Sequence, residues 1–144
     1  MGITFHPKAG MVLMCNFVGF KAPEMIKARP VVIVSPNHLV RHKLVTVVPL
    51  STTAPEPVEP YHYQLRGSPI PGSSAVAWAK CDMICTVCVD RLDRIQIARG
   101  QFLTGHISME QVRAIRDAAA ISFGVTPTMV EKTKGPAFTE PLAD

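Results

Sequence analysis

Hydrophobic positions in the first ninety residues come in short runs rich in β-branched side chains, each cut off by Pro or Gly. Gly10–Phe17 is the first, and Val31–Ser35 and Leu44–Val48 follow, bounded by Pro30, Pro36 and Pro49. Branched side chains pack well on a pleated, half-buried surface, so these runs predict strands. Tyr61–Leu65 is polar at alternate positions, the pattern of a half-exposed edge. Ala75–Val89 is long and apolar enough for one bent strand or two. In such a strand Lys80 and Asp82 share a face, while Cys81 and Cys85 share the other. Residues 90–100 admit a further short strand with Ile95 and Ile97 inward. Helical spacing arrives late. Ser108-Met-Glu-Gln111 matches a capping box, Val112, Ile115 and Ala119 recur on one helical face, and Gly124 is a stop. Short strands, frequent turn signals and one late helix predict a mainly β fold: a small antiparallel barrel or strongly coiled sheet with a C-terminal helix. Residues 1–124 form the single expected domain. The three prolines and weak patterning of 125–144 suggest a loose tail.

Composition changes this picture little. A hydrophobic fraction of 47% and a charged fraction of 18% over 144 residues exclude wholesale disorder. Four cysteines are too few for a disulfide scaffold. The longest clean apolar stretches, such as Val31–Val34, are far too short for a membrane span. The uncharged segment Ala9–Phe20 faintly imitates a signal peptide, but Asn16 and the glycines dilute it and no small-residue cleavage site follows. It reads as a buried strand of a cytoplasmic protein. The net charge is +4. Residues 1–124 hold 13 basic and 8 acidic side chains, a balance of +5 that suits a polyanionic partner.

Candidate chemistry gathers at strand ends. Pro30 removes a backbone donor and keeps Arg29 out of helix, which fixes Arg29 at a loop-to-strand junction. A guanidinium held there can grip a phosphate through two parallel hydrogen bonds, or pair with Glu24 for structure. Lys21, Glu24 and Lys27 lie in the polar loop that precedes it. Ser51, Thr52 and Thr53 place three hydroxyls at the end of the following strand, fit for phosphate or ribose oxygens or for capping a turn. In Trp78-Ala-Lys80-Cys-Asp82 the aspartate needs a partner, and Lys80 or Arg29 would supply it as an ion pair. The spacing Cys81-x3-Cys85-x2-Cys88 is a partial zinc array that lacks a fourth ligand, so these cysteines read as small buried hydrophobes and no metal is assigned. Five scattered histidines (His6, His38, His42, His62, His106) show no acid–base spacing. Phosphate-loop and hydrolase signatures are absent.

Taken in order, Gly10-Met-Val-Leu-Met, Glu24 with Arg29-Pro-Val-Val-Ile-Val-Ser35, Val47-Val-Pro-Leu-Ser-Thr52, Lys80-Cys-Asp82 with Thr86, and Arg91-Leu resemble the MazF/PemK/Kid toxins of bacterial toxin–antitoxin pairs, across residues 8 to 124. The resemblance implies an SH3-like barrel acting as a homodimer. It further implies a metal-independent, cofactor-free endoribonuclease, sequence-selective for single-stranded RNA and inhibited by a cognate antitoxin. Arg29 falls on the family's main catalytic arginine, Ser51 on a position usually held by a catalytic threonine, and Lys80 and Asp82 on residues near the scissile phosphate. With Glu24 these form the expected catalytic set. Lys21, Lys27, Thr52, Thr53 and Trp78 are the expected RNA contacts. Pro23 occupies a position where Kid-type members carry histidine. The related CcdB toxins, which poison gyrase without cleavage, supply an alternative of the same fold, as does a degenerate toxin that only binds its antitoxin.

Overall fold

The computed structural model describes residues 2–125. Its strands are β1 (Met11–Cys15), β2 (Arg29–Ile33), β3 (Leu44–Ser51), β4 (His62–Gln64), β5 (Trp78–Lys80), β6 (Cys85–Cys88), β7 (Leu92–Asp93), β8 (Ile95–Ala98), β9 (Gln101–Leu103) and β10 (Gly105–His106), followed by helix α1 (Met109–Ser122). All pairings between these strands are antiparallel. The sheet path runs β10-β1-β2-β3-β5-β4, with β6 also on β3 and β7 also on β1. β1 and β3, the outer strands of a β1-β2-β3 hub, therefore each carry two partners along one edge, which bends the sheet into a barrel-like curl whose ends, β10 and β4, do not pair. The mainly β architecture with one late helix is the one the patterning predicts.

One correction concerns Ala75–Val89. β5 pairs along Leu50–Ser51 and β6 along Leu44–Val47 of the same β3 edge, but the register shifts between them. A 3-10 turn, Cys81–Met83, takes up the slack opposite Val48 and Pro49. Pro49 has no N–H to give the ladder, so a continuous strand cannot form there. Lys80 thus ends β5 while Asp82 rides on the turn, and the shared strand face expected for the two does not exist. The alternation expected for Cys81 and Cys85 fails for the same reason.

The hub strands bury both faces. Even-numbered Val12, Val32, Val48 and Leu50 pack with Ala77, Ala79 and, from α1, Ile115 and Ala119. Odd-numbered Leu13, Val31, Ile33, Val45 and Val47 pack with Phe17, Met25, Val87 and Leu92. Helix α1 starts as expected, with the Ser108 hydroxyl accepting the Gln111 N–H at 3.2 Å. The reciprocal half of the capping box is absent. Gln111 instead uses its side-chain oxygen to accept the Tyr63 hydroxyl at 3.3 Å and the Arg66 N–H at 2.8 Å, which pins α1 to β4. At the other end Gly124, at φ +88°, donates to Ile121 while Val125 donates to Ala120, a Schellman stop.

β8 and β9 form a separate two-stranded hairpin. Ile95 is buried there, but Ile97 is 38% exposed, contrary to the inward reading of both. Apart from Ile95 the hairpin is exposed on both faces, and a register shift between Gln96 and Ala98 breaks its alternation. Cys15 and Cys81 are fully buried, whereas Cys85 and Cys88 are half-buried. Most of the expected tail, 126–144, lies outside the described residues.

Candidate functional site

The odd-numbered face of the hub changes character at one end. Apolar Ile33 and Val31 are followed along β2 by Arg29, and Val45 and Val47 along β3 by Pro49 and Ser51. Val31 pairs with Pro49, so continuing that register brings Arg29 level with Ser51. Ser51 in turn pairs with Trp78, which puts Lys80 on the same face two residues on. Three neighbouring strands thus deliver Arg29, Ser51 and Lys80 to the place where the second core opens to solvent.

A groove of about 370 Å³ lies there, lined by these three residues together with Glu24 and Lys27 from the 20–28 loop. Met25, Ile26, Pro49 and Met83 complete its apolar floor and sides. Lys27, Arg29 and Lys80 outnumber the single carboxylate of Glu24, so the groove favours an anion. Five of the ten residues singled out in the sequence therefore meet in one depression. The others lie elsewhere. Asp82 lines an adjoining cavity with Glu24 and Met83. Thr52, Thr53 and Lys21 are exposed, and Trp78 is half-buried on β5. Asp82 forms no ion pair with Lys80 or Arg29, and Arg29 forms none with Glu24, among the described residues.

Local hydrogen bonds show what holds the site. The Glu24 carboxylate accepts the Lys21 N–H at 2.7 Å while its own N–H donates to the Lys21 carbonyl at 2.8 Å, closing the loop on itself. Met25, 8% exposed, anchors that loop in the second core. The Ser51 hydroxyl accepts the Thr53 N–H at 3.1 Å and donates to the Thr53 carbonyl at 3.3 Å, so the turn-capping role is realised at this position.

Arg91, which opens the Arg91-Leu motif, gains a role only in the folded structure. Its guanidinium donates to the carbonyls of Asn16 at 3.0 Å and Val18 at 2.7 Å and sits 5.1 Å from the centre of the Phe20 ring. It clamps the segment from which the Glu24–Lys27 loop departs. Met83 and Ile26 were missed as groove residues because no motif marks them; only the turn after β5 and the loop closure bring them in. Among the described residues no three His, Cys, Asp or Glu side chains group so as to hold a metal ion. No helix among them is long and apolar enough to cross a membrane.

With this geometry in hand, the chain compares with known proteins as follows. A family model described as the PemK-like, MazF-like toxin of type II toxin–antitoxin systems matches residues 8–123. The Escherichia coli K12 protein YifN is 31% identical over 69% of this chain and 80% of its own length. An endoribonuclease from a mycobacterial species, solved in complex with its cognate antitoxin, superposes with a TM-score of 0.57 at 26% identity, covering 83% of this chain and 97% of that one. MazF from Deinococcus radiodurans shares the fold at a TM-score of 0.59 and 18% identity, over 84% of this chain and 99% of its own.

Proposed function

This chain belongs to the PemK-like, MazF-like toxin family of type II toxin–antitoxin systems, whose members are generally endoribonucleases, and from that premise we propose that it is itself a metal-independent endoribonuclease acting on single-stranded RNA. The observation that carries the reading is the convergence of Arg29, Lys80, Ser51 and Glu24 in one cationic groove.

The chemistry follows from those side chains. The ribose 2′-oxygen attacks its own phosphorus, a base takes the 2′ proton, the bond from phosphorus to the 5′-oxygen breaks, and that oxygen takes a proton as it leaves. The products are a 2′,3′-cyclic phosphate and a 5′-hydroxyl. Arg29 and Lys80 supply the charge that the phosphorane develops against, a contribution of roughly 3 kcal/mol per well-placed donor. A guanidinium donates hydrogen bonds and accepts none, so the work of Arg29 is electrostatic. The Ser51 hydroxyl shapes the turn that borders the phosphate site. Glu24 is the groove's carboxylate and is assigned the 2′ proton. Lys27 extends the cationic track along the RNA backbone, and the exposed Lys21, Thr52 and Thr53 lie where flanking phosphates would pass. The barrel mouth is also the natural seat of an inhibitory antitoxin, since an acidic tail laid across Lys27, Arg29 and Lys80 excludes RNA. A homodimer in the cytoplasm, as in the family, completes the proposal.

The test is cleavage of a mixed-sequence single-stranded RNA in EDTA by wild type and Arg29→Ala. Discrete fragments ending in cyclic phosphate from the wild type, reduced 10²–10³-fold in the variant, are expected. Intact RNA with folded wild-type protein overturns the reading.

A further inference from the structure

Beside the groove lies a second cavity of about 340 Å³ that shares Pro23, Glu24, Met25 and Met83 with it. The two differ in charge. The groove sets Lys27, Arg29 and Lys80 around its phosphate position, whereas the second cavity is lined by the carboxylates of Glu24 and Asp82, with Arg91 set behind the Phe20 ring and bonded to the Asn16 and Val18 carbonyls. Like charge repels a phosphate from it. Its walls include Phe20, Met25 and Met83, flat or polarisable apolar surface of the kind on which a heterocyclic base packs. Cys85 adds no charge to the wall: burial above all, with Glu24 assisting and Arg91 opposing, pushes its thiol up from 9.0. The volume sits at the small end of ligand pockets, which span roughly 300–1,000 Å³. It admits one base rather than a longer stretch of chain.

We propose that this cavity is the base-recognition subsite beside the scissile phosphate, and that Asp82 makes it selective for guanine. The inference rests on the ribonuclease reading of the groove. Contiguity through four shared wall residues places a base in the cavity next to a phosphate held by Arg29 and Lys80. A carboxylate only accepts hydrogen bonds. Guanine offers N1–H and the 2-amino group side by side, a two-pronged match to one carboxylate. Cytosine and adenine each offer one amino group beside a ring acceptor that repels the carboxylate. Uracil offers a single N–H flanked by two carbonyls. Asp82 makes no hydrogen bond among the described residues, so both its oxygens are available. Glu24 is held in place by the Lys21 N–H at 2.7 Å.

The experiment has two arms and compares wild type with Asp82→Asn, an exposed substitution that keeps size and exchanges an acceptor for a donor. In the first, cut sites in a randomised single-stranded RNA pool are sequenced. In the second, binding is measured for two non-cleavable 2′-deoxy pentanucleotides, one all uracil and one with a central guanine. Wild type is expected to favour guanine over uracil about tenfold at one position flanking the cut, and about tenfold in binding, as a bidentate base contact provides. Asp82→Asn is expected to bring both ratios close to one. Equal use and equal binding of guanine and uracil by the wild type overturn the inference, as does a guanine preference that survives in Asp82→Asn. Failure of the wild type to cut any RNA, with an Asp82-dependent preference for the guanine pentamer intact, removes the ribonuclease reading and leaves the subsite standing.

Discussion

The same three hub strands carry two kinds of face. On the even side, Val12, Val32, Val48 and Leu50 are buried and sealed by α1, and the series ends on β3 at Thr46, whose hydroxyl meets the Arg41 guanidinium and the Thr86 hydroxyl. On the odd side, Val31, Ile33, Val45 and Val47 are equally buried, but the series runs out into Arg29 and Ser51, next to Lys80 of β5. Stability is thus distributed over both faces, and the chemistry assigned to this chain sits at one end of only one of them. A rigid sheet aims side chains better than a loop does, and here the cations leave the sheet where its core stops. The two faces therefore answer differently to substitution.

The widest separation is expected from Ile115→Ala, on the even side, set against Arg29→Ala. Ile115 is fully buried, and its truncation costs roughly 3 kcal/mol through lost burial and the cavity left behind. Arg29 is exposed, and its removal changes stability by no more than about 0.5 kcal/mol. Urea unfolding of both variants measures the contrast; similar losses in the two would erase the distinction between faces.

Lys80→Met sharpens the odd side further. It keeps most of the side-chain volume and removes a charge, so cleavage should fall roughly tenfold to a hundredfold, the range for a hydrogen bond to a charged group, with the urea midpoint unmoved. A drop in midpoint with full cleavage would make Lys80 a packing residue.

How much of this contrast the sequence discloses depends on whether local or distant partners decide it. The β-branched runs at Val31–Ser35 and Leu44–Val48 disclose the hub because each strand is buried on both faces and needs apolar residues at nearly every position. Arg29 and Ser51 could be placed at strand ends because Pro30 and Pro49 punctuate those runs. Asp82 could not, because its position follows from Pro49 on a different strand interrupting the ladder. Gln111 matches half of a capping box, yet its oxygen serves Tyr63 and Arg66 more than forty residues away. The adjoining cavity has no linear signature: Phe20, Glu24 and Met83 meet only after the loop closes and the chain turns beyond β5. Ile97 escapes the periodic pattern because the β8–β9 hairpin, Ile95 apart, is exposed on both faces and shifts register between Gln96 and Ala98.

A smaller effect is expected at the start of the helix that seals the even face. Ser108→Ala removes the acceptor of the Gln111 N–H and should cost about 1 kcal/mol, without altering cleavage by the folded fraction. Equal stability would mean that the Gln111 bonds to Tyr63 and Arg66 alone hold the first turn of α1.

The last comparison tests both cores by one physical variable, and it is read as a difference between slopes. Cys81 lies in the even core and Cys15 in the odd. Burial pushes both thiols up from 9.0 to about 12; the nearby Asp82 adds to the rise at Cys81, whereas at Cys15 Cys85 adds to it and Arg91 opposes it. The folded state therefore holds these protons more tightly than the unfolded chain does. Below pH 9 both states are protonated and the contribution to stability is complete; above it the unfolded thiols ionise first, so stability falls as pH rises toward 12. The urea midpoint should decline between pH 8 and pH 10.5, and the decline should be shallower in Cys15→Ala and in Cys81→Ala, each compared with its own midpoint at pH 8. Lysines near the surface titrate in the same range, which is why the difference between slopes, rather than the slope itself, carries the information. Slopes that match the wild type in both variants would show that neither core holds a thiol away from water. A change in Cys81→Ala alone would show that the even face, closed by α1, is the drier of the two, and that the odd core admits water through the mouth that the groove opens.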